Sequence, residues 1–326
     1  MEQHTAPAGT GTAYLWAPIA TDQVAAWADL TNHLAAVDGT EEYYREEDLL
    51  EELGHDGVDP ARDTLAVWDG SQMVGFVQVS VPPTPDNEGH GRGYLSGGVR
   101  ESHRGRGLGR ELLDLMEPRV AELVAERHPG LPGWVRADGG LQGSSASALL
   151  ARRGYRPVRY YNLLTRPLDR GAEVPQADGV ELVSPGDVHE EATRIAHNDA
   201  FRDHWGSGPQ TAEVWHENWT GRSVRADMSS LALSDEGDVL AYVLCSEWVD
   251  RELFVNLVGT VREARGRGLA QAALLRTIAL GAGSGAYDRI ELVVDSENPN
   301  GATRLYEKVG FTHKLQLVAM QRDLPS

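Results

Sequence analysis

The chain repeats one short motif in its two halves, and this repetition limits the folds open to it. Gly98–Arg110 reads GVRESHRGRGLGR and Gly259–Gln271 reads GTVREARGRGLAQ, so the two copies lie 161 residues apart. A second pair of segments, Ala148–Tyr155 and Ala302–Phe311, ends each time in a glycine followed by an aromatic residue. Because the landmarks recur in the same order at similar spacing, the sequence predicts a duplicated domain.

Hydrophobic periodicity predicts the same kind of fold in each half, an α/β (α+β) arrangement in which helices flank a mixed sheet. We expect a first domain over residues 11–166, a linker rich in Pro, Gly and charge over 167–178, and a second domain over 179–323. The main predicted elements are helices at about 22–37 and 188–201 and strands at about 64–68, 74–81, 229–233, 239–248, 252–261 and 289–295.

Bulk composition excludes several classes of function. The net charge of −19 over 326 residues argues against nucleic acid as a general partner and favours a cationic one. No run of 18 apolar residues is present, so we expect no membrane-spanning segment. The single cysteine, Cys245, excludes an internal disulfide framework and is typical of a reducing cytoplasm, where we expect a buried core thiol.

The repeated Arg-Gly-Arg-Gly loop is the segment that carries chemistry. Each copy lies between a predicted strand and the start of a helix, where exposed N–H groups and the helix dipole bind phosphate. The glycines allow a close backbone approach, and the arginines add positive charge. A diphosphate ligand is therefore the functional interpretation, and a plain glycine-rich turn is the alternative. The nucleotide patterns G-x-x-x-x-G-K-[ST] and G-x-G-x-x-G both fail here.

Both loops match the pattern [QR]-x-x-G-x-[GA] and thereby resemble the GNAT acetyltransferase superfamily, in a tandem arrangement. The resemblance implies acetyl-CoA as co-substrate and no metal. It implies CoA contacts from the loop residues Arg104, Gly105, Arg106, Gly107, Leu108, Gly109, Arg265, Gly266, Arg267, Gly268, Leu269 and Ala270. It further implies contacts from the backbone of a splayed strand, at Gly98, Val99, Arg100, Gly259, Thr260 and Val261.

In the second half the resemblance extends to the stretch from Asn298 to Phe311, which is similar to N-x-x-A-x-x-L-Y-x-x-x-G-F. The asparagine spacing departs by one residue, so either Asn298 or Asn300 is expected at the pantetheine arm. Tyr306 matches without a shift, and the resemblance implies that it is the general acid for the departing thiolate. A phenol can donate to developing negative charge at neutral pH. The alternative for Tyr306 is a core aromatic.

The first half departs from the pattern where catalysis would occur. Leu150 stands opposite Tyr306, while Gln142 and Ser144 stand opposite the two asparagines. A leucine cannot donate a proton. We therefore expect a degenerate first domain that is structural or binds CoA without turnover.

The proton acceptor and the acceptor site are less well specified. Where many GNAT proteins place a glutamate on the splayed strand, this chain has Phe254, and Glu252 lies two residues earlier on the same strand face. We expect Glu252 to be the base, with a solvated strand-end carboxylate as the alternative and Asp250 and Glu247 as weaker candidates. Acceptor contacts are expected from Asp203, His204 and Trp205, for which packing in a helical flap is the alternative.

The sequence thus predicts an acetyl-CoA-dependent N-acetyltransferase that acts on a small, preferably cationic amine, with catalysis in the second domain. Two alternatives stay open, an acyl-CoA-binding sensor without turnover and a transferase for another acyl group. Neither the identity of the acceptor nor the oligomeric state follows from the residues.

Overall fold

The computed structural model describes residues 14–168, 173–174, 179–298 and 301–325. The predicted linker falls largely, and Asn300 entirely, outside these residues. The chain forms two compact units. The first contains the described residues up to Pro85, Gly89–Arg159 and those from Leu317 onward, and the second contains Asp86–Glu88 and Tyr160–Gln316. No helix among the described residues is long and apolar enough to cross a membrane.

The first unit is an antiparallel meander that continues into a parallel strand pair. Strands β2 to β4 pair antiparallel, β1 adds to β2, and β4 pairs parallel with β5 across the helix α4. The elements are β1 (Leu15–Ala17), α1 (Val24–Asp38), α2 (Glu46–Gly54), α3 (Pro60–Asp63), β2 (Thr64–Asp69), β3 (Gln72–Ser80), β4 (Gly91–Val99), α4 (Leu108–Arg127), β5 (Gly133–Leu141) and α5 (Ser145–Arg152).

The second unit repeats this order. After β6 (Arg156–Pro167), strands β7 to β10 form the antiparallel meander, and β10 pairs parallel with β11 across α8. The elements are β7 (Glu181–Val183), α6 (Glu190–Ala200), α7 (Ala212–Thr220), β8 (Ser230–Leu233), β9 (Val239–Ser246), β10 (Glu252–Thr260), α8 (Leu269–Ser284), β11 (Arg289–Asp295), α9 (Ala302–Lys308) and β12 (Thr312–Asp323).

The closing strand of each unit comes from the other half of the sequence. Residues Leu317–Asp323 of β12 pair antiparallel with β5 and belong to the first unit. Residues Tyr161–Pro167 of β6 pair antiparallel with β11 and belong to the second. The two units are therefore not contiguous halves of the chain.

Each sheet is covered by helices that bury one apolar face. In the second unit, α8 places Leu274 and Ile278 against Leu253, Ile290 and Leu292 of the sheet, and all five side chains are at most 1% exposed. Burial of such side chains contributes roughly 1.5–3 kcal/mol each. The predicted mixed α/β architecture with flanking helices is confirmed. Cys245 is a buried core thiol, as predicted.

Candidate functional site

The repeated loop has the same backbone conformation in both units. In the first, Gly105 and Gly107 have φ of +76° and +91°, and in the second, Gly266 and Gly268 have φ of +77° and +78°. Positive φ is disfavoured for residues with a Cβ, so these positions favour glycine. Gly107 and Gly268 lie immediately before the first residues of α4 and α8. Each loop thus presents the N–H groups of a helix N-terminus to an anion.

The first arginine of each loop connects the loop to the C-terminal end of the first α-helix of its unit, α1 or α6. Arg104 donates to Val99 O at 2.8 Å and pairs with Asp38 through two contacts of 2.6 and 2.7 Å. Arg265 donates to Ala200 O at 2.9 Å and lies 3.4 Å from Asp203. These arginines therefore position the loop, whereas the exposed second arginines, Arg106 and Arg267, add charge at its surface.

Each unit has a splay in its sheet directly before the loop. Strands β4 and β5 pair only as far as Leu95 and Ala137, and β10 and β11 only as far as Val255 and Leu292. Beyond these residues β4 and β10 keep their pairing with β3 and β9. A strand edge left without a neighbour offers backbone donors and acceptors to an extended ligand. The predicted contact residues Gly98, Val99, Gly259 and Thr260 lie on these edges, followed by Arg100 and Val261.

Among the described residues, the splay of the second unit has a bulge and the splay of the first has none. The pairing of β10 with β9 shifts register between Val255 and Leu257, whereas β4 pairs with β3 without a shift. A bulge redirects backbone N–H groups and is frequent beside active sites. Asn256, the bulged residue, bonds to Ser246.

A buried polar pair that the sequence reasoning missed lies under the second splay. Tyr242 Oη and His197 Nδ1 are 2.7 Å apart, and the His197 ring stacks on Phe201 with 4.4 Å between centroids. Burial, followed by the charge of His204, lowers the pKa of His197 to about 4, so its imidazole is neutral at pH 7. A Cβ at Gly259 would lie 2.3 Å from the Tyr242 ring, so the glycine lets the strand approach this pair.

Tyr306 lies on α9 in the core of the second unit. Its ring is 7% exposed and packs edge-on against Phe311, with 5.9 Å between centroids. Burial raises the pKa of Tyr306 to about 12, so the phenol keeps its proton at neutral pH. The described part of the chain offers its hydroxyl no hydrogen-bond partner. Asn298, in the turn before α9, is half-buried, and Asn300 lies outside the described residues.

Glu252 is held in an ion pair at the start of β10. Its carboxylate lies 2.6 Å from Arg289 Nη2, on the paired part of the sheet before the splay. Burial and the neighbouring charge of Glu291 raise the pKa of Glu252, while Arg289 opposes this shift. The weaker candidate Glu247 accepts hydrogen bonds from Arg225 and Tyr287.

The predicted acceptor residues lie in the turn after α6. Asp203 pairs with Arg262 and Arg265, which places this carboxylate at the repeated Arg-Gly-Arg-Gly loop. His204 bonds to Ser207 at 2.9 Å and packs against Phe201, and Trp205 is half-buried beside it. The structure thus places Asp203 as a counter-ion of the loop arginines.

The corresponding region of the first unit lacks the phenol. Leu150 is buried on α5, and Ser144 caps that helix by accepting from Ser147 N at 3.0 Å. Among the residues that the structure describes, no group of three or more His, Cys, Asp or Glu side chains could hold a metal ion.

Comparison with known proteins is consistent with this geometry. The model of the Acetyltransferase (GNAT) family matches residues 24–128 and 191–311. A mycothiol acetyltransferase from Tsukamurella paurometabola is 31% identical over 293 residues, which are 83% of this chain and 92% of the relative.

Two solved structures share the fold of the whole chain. A GCN5-related N-acetyltransferase from Sphaerobacter thermophilus superposes with a TM-score of 0.74 at 24% identity, over 95% of each chain. A tandem GNAT protein from the clavulanic acid biosynthesis pathway superposes with a TM-score of 0.70 at 19% identity, over 96% of this chain and 99% of the other. These likenesses show two tandem folds of the same kind.

Proposed function

Because the chain belongs to the acetyltransferase (GNAT) family, we propose that it transfers an acetyl group from acetyl-CoA to the primary amine of a small molecule. We place the reaction in the second unit. Both units have the loop, but the second unit also has the bulged splay and the protonated phenol of Tyr306. The first unit has Leu150 at the position of that phenol, and this difference supports the assignment. The relative from Tsukamurella is named for mycothiol, a small molecule, which supports an acceptor of that class.

The residues of the second unit suit a thioester of CoA. The N–H groups at the start of α8 would hold the diphosphate, with Arg267 beside them, and the free edge of β10 would pair with the pantetheine arm. In this arrangement the bound thioester supplies the acyl group and a leaving sulfur. Backbone N–H groups at the bulge near Asn256 would polarise its carbonyl.

Proton transfer is assigned to two side chains. Tyr306 donates the proton that the sulfur takes up, since its phenol stays protonated at neutral pH. Glu252 is our candidate for the base that accepts the amine proton, because a raised pKa makes a carboxylate a better base. The ion pair with Arg289 opposes that role, so the Glu252→Gln variant tests it directly. An unchanged pH profile of kcat in this variant would remove Glu252 from the mechanism.

The proposal predicts that Tyr306→Phe lowers kcat by roughly 100-fold and leaves acetyl-CoA binding intact. The measurement is release of free CoA across a panel of small primary amines, with binding followed by calorimetry. Tyr155→Phe is the matched control, since this buried tyrosine lies in the first unit and bonds to Glu117, away from the proposed reaction.

Full turnover by Tyr306→Phe would contradict the acid assignment. Binding of acetyl-CoA with no turnover on any amine would favour a sensor, and turnover with a longer acyl-CoA only would favour another acyl group.

A further inference from the structure

The first unit contains a cavity of about 560 Å³. Its lining includes the loop residues Arg104 and Gly107, the splayed residues Gly97 and Gly98, and the connection between α1 and α2. Sites for small molecules in proteins typically enclose about 300–1,000 Å³. The cavity therefore has room for a small ligand beside the phosphate-binding loop of a unit that lacks the catalytic phenol.

Four carboxylates line this cavity. Asp38, at the end of α1, pairs with Arg104, and the other three come from three different elements. Glu42 comes from the connection after α1, Glu52 from α2, and Asp138 from β5, one residue beyond its last pairing with β4. Both Glu42 and Asp138 are exposed by accessible surface, because they face the open space of the cavity, although protein atoms surround them closely enough to remove much of the solvent. Neither forms an ion pair or a hydrogen bond with any side chain that the structure describes, whereas Glu52 bonds to Gln78.

The surroundings make this negative charge costly. Burial, with the nearby charge of Asp138, raises the pKa of Glu42 to about 7. Burial also raises the pKa of Asp138, against the opposing charge of Arg136. Arg104, Arg110 and Arg152 also line the cavity, but none of them forms an ion pair with Glu42 or Asp138. Two neighbouring carboxylates that lack an ion-pair partner disfavour the ionised state, and such perturbed groups concentrate at functional sites. A cationic group bound between them would remove this penalty.

The kind of cation follows from the lining. Glu42 and Asp138 are two carboxylates, and among the described residues no third His, Cys, Asp or Glu side chain joins them in a group that could hold a metal ion. The phosphates of CoA are negative and suit the arginine-bearing loop, so they do not account for the acidic part. Apolar side chains, among them Trp27, Leu49 and Phe76, line the rest of the cavity. This combination fits an organic ammonium ion with an apolar body.

We propose that the cavity of the first unit binds a small molecule whose cationic amino group lies between Glu42 and Asp138 and whose apolar part contacts Trp27, Leu49 and Phe76. The first unit then contains a binding site for a small cationic molecule beside its copy of the loop. This inference does not depend on which unit carries out acyl transfer.

The test is calorimetric titration of the full chain with matched pairs of amines and alcohols. The probes are tyramine with tyrosol, tryptamine with tryptophol, and putrescine with 1,4-butanediol, because each pair differs only by replacement of ammonium groups with hydroxyls. The variants are Glu42→Gln and Asp138→Asn. The control is Glu236→Gln, an exposed carboxylate in the turn between β8 and β9 of the second unit.

We expect at least one amine to bind roughly tenfold or more tightly than its alcohol, since charge-assisted hydrogen bonds are the strong ones. The same amine should bind roughly tenfold or more weakly to each of the two cavity variants. Its affinity for the Glu236→Gln control should be unchanged. Both substitutions remove a carboxylate whose ionisation its surroundings disfavour, so the variants should fold at least as well as the natural protein, which a thermal melt verifies.

Two results would overturn the proposal. One is that no amine of the three binds more tightly than its alcohol. The other is that amine binding survives both cavity variants unchanged, which would place it elsewhere in the protein.

Discussion

Gly259 shows how one missing side chain shapes the second unit. Its backbone lies against the Tyr242 ring, and a Cβ there would be 2.3 Å from the phenol oxygen and the adjacent ring carbon. Real Cβ contacts are longer, so the strand or the ring has to move if any side chain is present. The bond from Tyr242 to His197 depends on this close approach.

We therefore predict that Gly259→Ala destabilises the protein by about 1–3 kcal/mol through overpacking and weakens acetyl-CoA binding at the adjacent strand edge. Urea denaturation and calorimetry measure the two effects. Gly283→Ala is the control, because that glycine lies in α8 with open space around it and alanine favours the helix. Equal stability of the two variants would show that the strand accommodates a methyl group.

Glu42 predicts a pH dependence of stability. Its pKa is raised from 4.5 to about 7 in the folded protein, so between these pH values the folded state holds more protons than the unfolded state. The free energy of unfolding therefore falls as pH rises through this window and levels off above it. The other titratable groups that line the same cavity are Asp38, Tyr44, Glu52, His103, Arg104, Arg110, Asp138 and Arg152.

We expect the melting temperature of Glu42→Gln to fall less than that of the natural protein between pH 5 and pH 8. Thermal melts at four or five pH values measure this, with Glu236→Gln as the exposed control. Parallel curves for the natural protein and Glu42→Gln would mean that Glu42 is already ionised at pH 5.

At the scale of elements, the first unit is held by a buried carboxylate that joins two helices and a strand. Glu117 of α4 pairs with Arg153, which follows α5, at 2.8 Å, and with Arg322 of β12 at 3.0 Å. Tyr155 also donates to it at 3.2 Å. Although burial raises the pKa of Glu117, hydrogen bonds and charge from Arg153 and Arg322 lower it overall. The carboxylate is therefore fully ionised at neutral pH.

Glu117→Gln should lower the free energy of unfolding by about 3 kcal/mol, because it leaves two arginines around a buried neutral group. Asp114→Asn removes the exposed partner of the same Arg153 and should cost less than about 1 kcal/mol. Urea denaturation of both variants is the measurement. Similar midpoints would show that Glu117 contributes no more than a surface ion pair.

Features that depend on residues close together in the sequence could be predicted from it, whereas features that depend on distant residues could not. The loop could be predicted, because its glycines and the helix that follows are neighbours in sequence. Helix α6 and strand β2 follow from periodicity to within two residues. The partner of Asp203 could not be predicted, since Arg262 is 59 residues away and competes with any substrate for the carboxylate. Glu42 gave no local signal, because its surroundings come from three separate elements.

At the scale of the whole molecule, we predict that the duplication is one of CoA recognition. Both loops have the same positive-φ glycines and both splays leave an open edge, so we predict that one chain binds two molecules of acetyl-CoA. Calorimetry gives the stoichiometry directly. Gly107→Ala and Gly268→Ala each force a Cβ into a left-handed conformation, at a cost of about 1–2 kcal/mol, and each should weaken one of the two sites.

A single site in the natural protein that is sensitive to Gly268→Ala alone would assign CoA recognition to the second unit only. A single site sensitive to Gly107→Ala alone would move it to the first unit, and with it the proposed reaction.

The exchange of closing strands affects how the protein is made. A growing chain leaves the ribosome from its N-terminus, and synthesis adds roughly 5–20 residues per second. Domains generally fold as units while they emerge. The first unit cannot fold completely as it emerges. Its β5 pairs with residues Leu317–Asp323 of β12, which are synthesised only after the residues of the second unit. During translation the edge of β5 therefore stays unpaired, and unpaired strand edges are prone to aggregation. We expect the first unit to need protection by chaperones until β12 has been synthesised.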